Sequence, residues 1–236
     1  MNELNIEHRN RMKKIHLLLI LPILLLMAFS ISSPEKKIVF FGDSITQQGV
    51  GPNGYITLLD SMMKAAGKEA ELVGAGISGN KIYDLYLRME KDVLEKNPDD
   101  VVIYIGINDV WHKRLTGTGT DLDRFEKFYK IIITKLKEKN ISVFMATPSV
   151  IGEKNDFTNP MDGDLNLYAV TVRRIAKEND CRLIDLRQSF LDYLKTNNPS
   201  NLDRGILTTD GVHLNRKGNL FVASKMLDEL KDFIGK

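Results

Sequence analysis

The chain is poor in the residues that hold metals and cross-links. Among its 236 residues there is one cysteine, Cys181, and there are four histidines. A lone cysteine closes no internal disulfide, and at the head of an apolar run it reads as a small buried hydrophobe. His8 and His16 fall within an amino-terminal segment that reads as an export signal, which leaves His112 and His213 for the rest of the chain. Two histidines and one cysteine are too few for a zinc site of the usual nitrogen and sulfur ligands. An excess of charge is lacking too, with 33 basic against 31 acidic residues. Residues 1–30 hold four of the basic and two of the acidic ones, so the remainder carries 29 of each sign. A chain so balanced has no electrostatic footprint for nucleic acid. Internal repeats, low-complexity tracts and linkers are missing, and about 200 residues after the leader suit one domain with one core.

The one long apolar run lies near the start. Arg9, Arg11, Lys13 and Lys14 precede Leu17 to Phe29, the order of a positive region and an apolar region in a secretory signal. The run is short for a membrane span, and Pro22 interrupts it. Ala28, Ser30 and Ser32 supply the small residues of a cleavage site, so residues 1–32 read as signal peptide and 33–236 as the working domain, periplasmic or secreted. The competing reading is an uncleaved anchor, the one case in which a membrane becomes a partner. A lipid anchor has no support, since no cysteine lies near the cleavage site.

From residue 37 onward, short runs rich in Val, Ile, Leu and Phe alternate with amphipathic stretches, the pattern of a parallel sheet covered by helices on both faces. Strands are expected at 37–42, 70–75, 100–106, 141–147 and 181–186. Helices are expected near 54–66, 80–96, 121–139, 164–179, 188–196 and 215–234, with irregular segments at 108–120, 148–163 and 197–213. Loops at the carboxyl ends of such strands carry sites.

The first strand runs into Gly42-Asp43-Ser44, placing a candidate nucleophile at its carboxyl end; on local composition alone the same residues read as a turn or a helix cap. Near the far end, Asp210 precedes His213 by three residues, so a carboxylate accepting from Nδ1 would leave Nε2 to deprotonate a serine. The competing reading is a capped turn with Asp210 or Asn215 capping the last helix and His213 merely exposed. After the second strand, Gly79 can bring a backbone N–H close to a substrate, and after the third Asn108 offers a side-chain amide, donors of the kind a developing oxyanion needs. Gly74 to Gly79 also fits G-x-G-x-x-G with Asp109 as a ribose acid, but it follows the second strand and leaves the serine and histidine segments unexplained. Trp111 and His112 follow Asn108 and are candidates for the substrate rim.

Taken in order, Gly42-Asp43-Ser44, Gly76-Ile77-Ser78-Gly79, Gly106-Ile107-Asn108-Asp109 and Asp210-Gly211-Val212-His213 resemble the motif blocks of GDSL-type esterases in the SGNH hydrolase superfamily. The resemblance covers residues 38 to about 220. It implies Ser44 as nucleophile, His213 as base, Asp210 as its orienting carboxylate, and an oxyanion hole from the Ser44 and Gly79 N–H groups and the Asn108 side chain. It also implies a flavodoxin-like three-layer α/β/α sandwich with five parallel strands in the order 2-1-3-4-5. One position departs from the pattern: where relatives often carry an asparagine, two residues before the second block, this chain has Gly74, so the anchoring of that loop is unaccounted for. The expected activity is a serine esterase using neither metal nor organic cofactor. The polar residues Glu153, Lys154, Asn155, Asp156, Asp162 and Asp164 after the fourth strand suit a short acyl group. Trp111 with Tyr55 or Tyr83 could offer a face to a sugar, which points to a small ester or an acetylated carbohydrate as substrate. A lysophospholipase or thioesterase, or a silent carbohydrate-binding module, are the other readings.

Overall fold

The computed structural model describes residues 36–233; the expected signal segment lies outside them. Five parallel strands, β1 (Lys36–Gly42), β2 (Ala70–Gly76), β3 (Asp100–Tyr104), β4 (Ser142–Ala146) and β5 (Arg182–Ile184), form one sheet in the order 2-1-3-4-5. The three inner strands hold the core: every residue of β3 is buried, as are Ile38 to Gly42 of β1 and Val143 to Ala146 of β4. Strands β2 and β5 are sheet edges and stay partly exposed, which is why their apolar runs are weaker.

Among the described residues, eight α-helices connect and follow the strands: α1 (Ser44–Gly49), α2 (Tyr55–Ala65), α3 (Ile82–Asp92), α4 (Ile107–Thr116), α5 (Leu122–Glu138), α6 (Asp162–Glu178), α7 (Leu186–Asn197) and α8 (Arg216–Leu230). Helix α5 shows why they form. Phe125, Tyr129, Ile132, Ile133 and Leu136 fall on one stripe and are buried, while Asp123 in the first turn and Lys135 and Lys137 in the last complement the helix dipole. Helix α2 packs on α8, and α5 packs between α3 and α6. Right-handed crossovers in this strand order put the first pair on one face of the sheet and the other three on the opposite face.

Register sets the site. Gly42 pairs with Gly76 on one side and Tyr104 on the other, and Tyr104 pairs with Ala146, so four strands end level and release their loops at one edge. Three segments differ from the sequence reading. The six-residue helix α1 begins at Ser44 itself, and most of the segment 108–120, expected to be irregular, is helical, in α4. The apolar face of α4 is narrow, with Ile107 and Val110 buried, and the Thr116-Gly117-Thr118-Gly119 run that follows reads as loop and masks it. Gly117 ends α4 in the left-handed region, φ 73°. Helix α3 stops at Asp92, ahead of the expected 96, and a separate 3₁₀ turn covers Leu94–Lys96.

Candidate active site

The crossover from β1 to β2 runs one way and all later ones run the other, so the loops after β1 and β3 diverge and open a crevice, the place where open α/β sheets bind ligands. Ser44 stands there, nearly buried, with 6 % of its surface exposed. Asp43 caps α1, its Oδ1 accepting from Ile45 N at 2.9 Å. Ser44 Oγ lies 3.0 Å from His213 Nε2, and His213 Nδ1 lies 2.7 Å from Asp210 Oδ2. The other oxygen of Asp210 accepts from the backbone N–H groups of Val212 (3.0 Å) and His213 (2.8 Å), which holds the carboxylate in one pose. Partial burial pushes the Asp210 carboxyl up, but the bonds from the His213 ring and from these N–H groups outweigh it and keep it below the usual range. An ionised Asp210 takes the Nδ1 proton as acceptor, so Nε2 presents its lone pair to the Ser44 hydroxyl.

The loop after β2 meets this serine at close range. A Cβ on Gly76 would lie 2.1 Å from Gln47 N and 2.5 Å from the Thr46 carbonyl carbon, so only glycine lets the end of β2 touch the backbone of α1. Gly79 adopts φ 77°, and Ser78 N donates to Gln47 Oε1 at 2.8 Å. Asn108, the second residue of α4 and buried, donates from Nδ2 to Asn80 O at 3.1 Å; the same nitrogen carries a second N–H. The Trp111 ring stands edge-on to His213 at 6.2 Å between centres, and His112 faces Gly79, with Cε1 3.8 Å from where a Cβ there would be. Partial burial and the Lys81 ammonium hold the His112 imidazole below its usual range.

The profile of the GDSL-like lipase/acylhydrolase family matches residues 40–220, from the end of β1 into α8. The chain belongs to this family. It is a GDSL-type esterase of the SGNH kind, a carboxylic ester hydrolase. The acetylxylan esterase of Geobacillus stearothermophilus is 31 % identical over 213 residues, 83 % of this chain and 94 % of that protein. The crystal structure of the acetyl xylan esterase AlAXEase is 60 % identical, covers 81 % of this chain and 98 % of its own, and superposes with a TM-score of 0.80. LAE5, an α/β hydrolase enzyme from the metagenome of Lake Arreo, is 28 % identical over 85 % of this chain and 97 % of its own, with a TM-score of 0.73.

The residues that brace this esterase site were harder to read. Arg88 reaches back from α3 beneath the Gly79 loop and stacks over Phe41, its guanidinium 4.5 Å from the ring centre. Its Nη2 donates to Gly42 O (2.8 Å) and Ala75 O (3.0 Å), its Nε to Asn80 Oδ1 (2.6 Å), and its Nη1 pairs with Asp92 (2.7 Å). One side chain thus ties the ends of β1 and β2 to the residue that receives the Asn108 amide, which accounts for the anchoring that Gly74 does not supply. Gly74 serves packing instead, its missing Cβ making room for the Val50 side chain. A sequence signal existed: Arg88 falls beside Leu85 and Met89 on the apolar stripe of α3.

Glu153 braces the other half. Expected to sit in a hydrated loop, it is fully buried and accepts from the backbone N–H groups of Ile206 (2.7 Å), Leu207 (2.6 Å) and Thr208 (2.7 Å), just ahead of Asp210. Asp162 is likewise buried, paired with the buried Arg187 at 2.7 Å. These two carboxylates hold the loop after β4 together and do not face substrate. Tyr55 is a further correction: it has no exposed surface and offers no face to a sugar, because its ring packs between Phe40 and Tyr104 with its hydroxyl 3.1 Å from Thr46 Oγ1. Tyr83 is half-buried and lines a separate groove. Asp109 is buried and accepts from Ile82 N at 3.2 Å, a structural bond at the start of α3.

Burial pushes the Asp43 carboxyl up to about 7, against the opposing pull of the Ile45 N–H and of His213 and Arg88. The folded protein therefore keeps this proton to near neutral pH, whereas the unfolded chain releases it near pH 4. As pH rises through that window the unfolded state gains, and Asp43 subtracts stability. Asp43→Asn keeps an acceptor for Ile45 and cannot ionise. Its unfolding free energy, relative to the parent, is expected to climb by about 1.4 kcal/mol per pH unit from roughly pH 4 to 7 and to level off above. Urea titrations at pH 5 and 8 that gave the same difference would refute this account of Asp43.

Proposed function

We propose that the protein is an exported serine esterase that removes short acyl groups, above all acetyl, from carbohydrate. The observation that carries the reading is the unbroken chain Ser44 Oγ, His213 Nε2, Nδ1 and Asp210 Oδ2, with contacts of 3.0 and 2.7 Å, in the crevice at the switch point. Ser44 Oγ attacks the ester carbonyl carbon as its proton passes to His213 Nε2. Asp210 stabilises the imidazolium. The oxyanion takes N–H donors from the Ser44 and Gly79 backbone and from Asn108. The bond to the leaving alcohol breaks as His213 returns the proton to that oxygen. Water then attacks the acyl-enzyme through the same base, releasing the carboxylic acid and restoring Ser44.

Acyl length is inferred from the rim. Lys113, Arg114 and Thr116 on α4 are exposed, and the loop after β4 spends Glu153 and Asp162 on internal bonds; this mostly polar setting, in which Leu115 and Phe157 are isolated exposed apolar residues, suits a short acyl group better than a long one. Trp111 beside His213 gives one apolar face. Relatives named as acetylxylan esterases support acetyl on a sugar polymer. With esters of graded length, kcat/KM is expected to fall from acetyl through butyryl to octanoyl, and acetylated oligosaccharides to be hydrolysed; a preference for octanoyl would favour a lysophospholipase or thioesterase and end the reading. Export is tested separately: amino-terminal sequencing of protein recovered outside the cytoplasm should begin near residue 31 to 33, and an intact Met1 in a membrane fraction would replace export with anchoring.

A further inference from the structure

A groove of about 410 Å³ runs between the first turns of α3 and α5, outside the catalytic crevice, and is lined by Tyr83, Tyr86, Leu87, Thr120, Arg124 and Phe128 among others. Its floor is aromatic. Phe128 lies 5.5 Å from Tyr86 and 6.5 Å from Tyr83 between ring centres, at tilts of 49° and 58°, and Leu87 beside them is 75 % exposed. Its edges are polar, with the exposed Arg124 and Asp121 bringing one charge of each sign, Asp121 also pairing with Lys113 at 2.7 Å. The groove adjoins the active site. Lys81 Nζ is 3.2 Å from Gly79 O and 5.6 Å from the Tyr83 ring centre, so the oxyanion loop and the groove are separated by a single lysine head.

We infer that this groove binds the sugar chain of the substrate at residues beyond the one that carries the ester, and so makes the enzyme selective for oligomeric over small esters. The inference rests on the carbohydrate reading above. Aromatic rings offer flat apolar faces to the C–H side of a pyranose, while tyrosine hydroxyls, a guanidinium and a carboxylate along the edge match its hydroxyls. A long acyl tail would meet charge at this edge, and an ionised ligand would meet both signs. A neutral saccharide satisfies both halves of the lining, and continuity with Gly79 puts it within reach of a chain whose acetyl group is at Ser44.

The test uses acetylated xylose and acetylated xylo-oligosaccharides of two to six sugars, beside a chromogenic acetyl ester. For the parent enzyme, kcat/KM is expected to rise about tenfold with chain length, chiefly through KM. Tyr83→Leu and Phe128→Leu, which keep bulk and remove the flat face, should each erase most of that rise and leave the chromogenic ester unaffected; Arg124→Ala, on the exposed edge where folding is not at stake, should erase part of it. No rise with length in the parent, or an unchanged rise in all three variants, overturns the groove assignment. A groove that instead seats a second copy of the chain would show as a dimer dissociated by Tyr83→Leu with length dependence intact, which also overturns it. Hydrolysis of the chromogenic ester with none of any acetylated saccharide would be a failure of the carbohydrate reading itself.

Discussion

Ser44→Ala is expected to lower kcat by about 10⁴ to 10⁶-fold, the loss seen when a nucleophile is deleted from a working triad and only binding and oxyanion donors remain. The fold should survive. The Oγ atom is bonded to His213 Nε2 at 3.0 Å, and α1 takes its cap from Asp43 rather than from Ser44. His213→Ala should match it, because serine without its base is a poor nucleophile, and the double variant should be little worse than either single one, since the two act as one unit. Single-turnover kinetics with a chromogenic acetyl ester, alongside thermal unfolding, checks both halves. Retention of near-normal turnover by Ser44→Ala would remove the mechanism altogether.

Asn108→Ala should cost about 10² to 10³-fold in kcat while KM barely moves, because a donor aimed at an oxyanion acts once the charge has formed. Arg88 extends the prediction. Its guanidinium fixes Asn80 at 2.6 Å, and Asn80 O receives the Asn108 amide at 3.1 Å, so Arg88→Met should lower kcat about tenfold through loss of aim. In the Asn108→Ala background the same substitution should add little, a non-additivity expected of residues in one hydrogen-bonded network. Equal fractional losses in both backgrounds would make Arg88 a stability element alone, and a change confined to KM would make Asn108 a ground-state contact.

Three of the four motif blocks were legible because each joins a strand end to a residue type with definite chemistry, and the register then brings those strand ends level; the fourth, in the loop ahead of α8, was legible only from a carboxylate and a histidine three residues apart. Short apolar runs located β1, β3 and β4 to within two residues, since burial on both faces leaves a continuous signal. Helix α4 was not legible, because two and a half turns with a narrow apolar face look like loop when glycine and threonine follow. Glu153 and Asp162 misled for another reason. A carboxylate reads as hydrated in sequence, and only the folded loop shows backbone N–H groups or a buried guanidinium waiting for it. Tyr55 failed likewise: an aromatic residue near a motif can be a platform or a core residue, and packing alone decides.

The backbone N–H of Tyr55 donates to Asn219 Oδ1 at 2.9 Å, fastening the start of α2 to α8, and Ser44 and His213 stand 169 positions apart in the chain. This long closure has a consequence for biosynthesis. All five strands lie within residues 36–184, so the sheet can be complete while the acid–base pair is still unmade. If Ser44 and His213 act as proposed, a nascent chain is expected to be hydrolytically silent until His213 has emerged and been brought to Ser44. Return of activity during refolding is therefore expected to report the docking of α8 on α2, and a fragment that ends before Asp210 is expected to lack esterase activity.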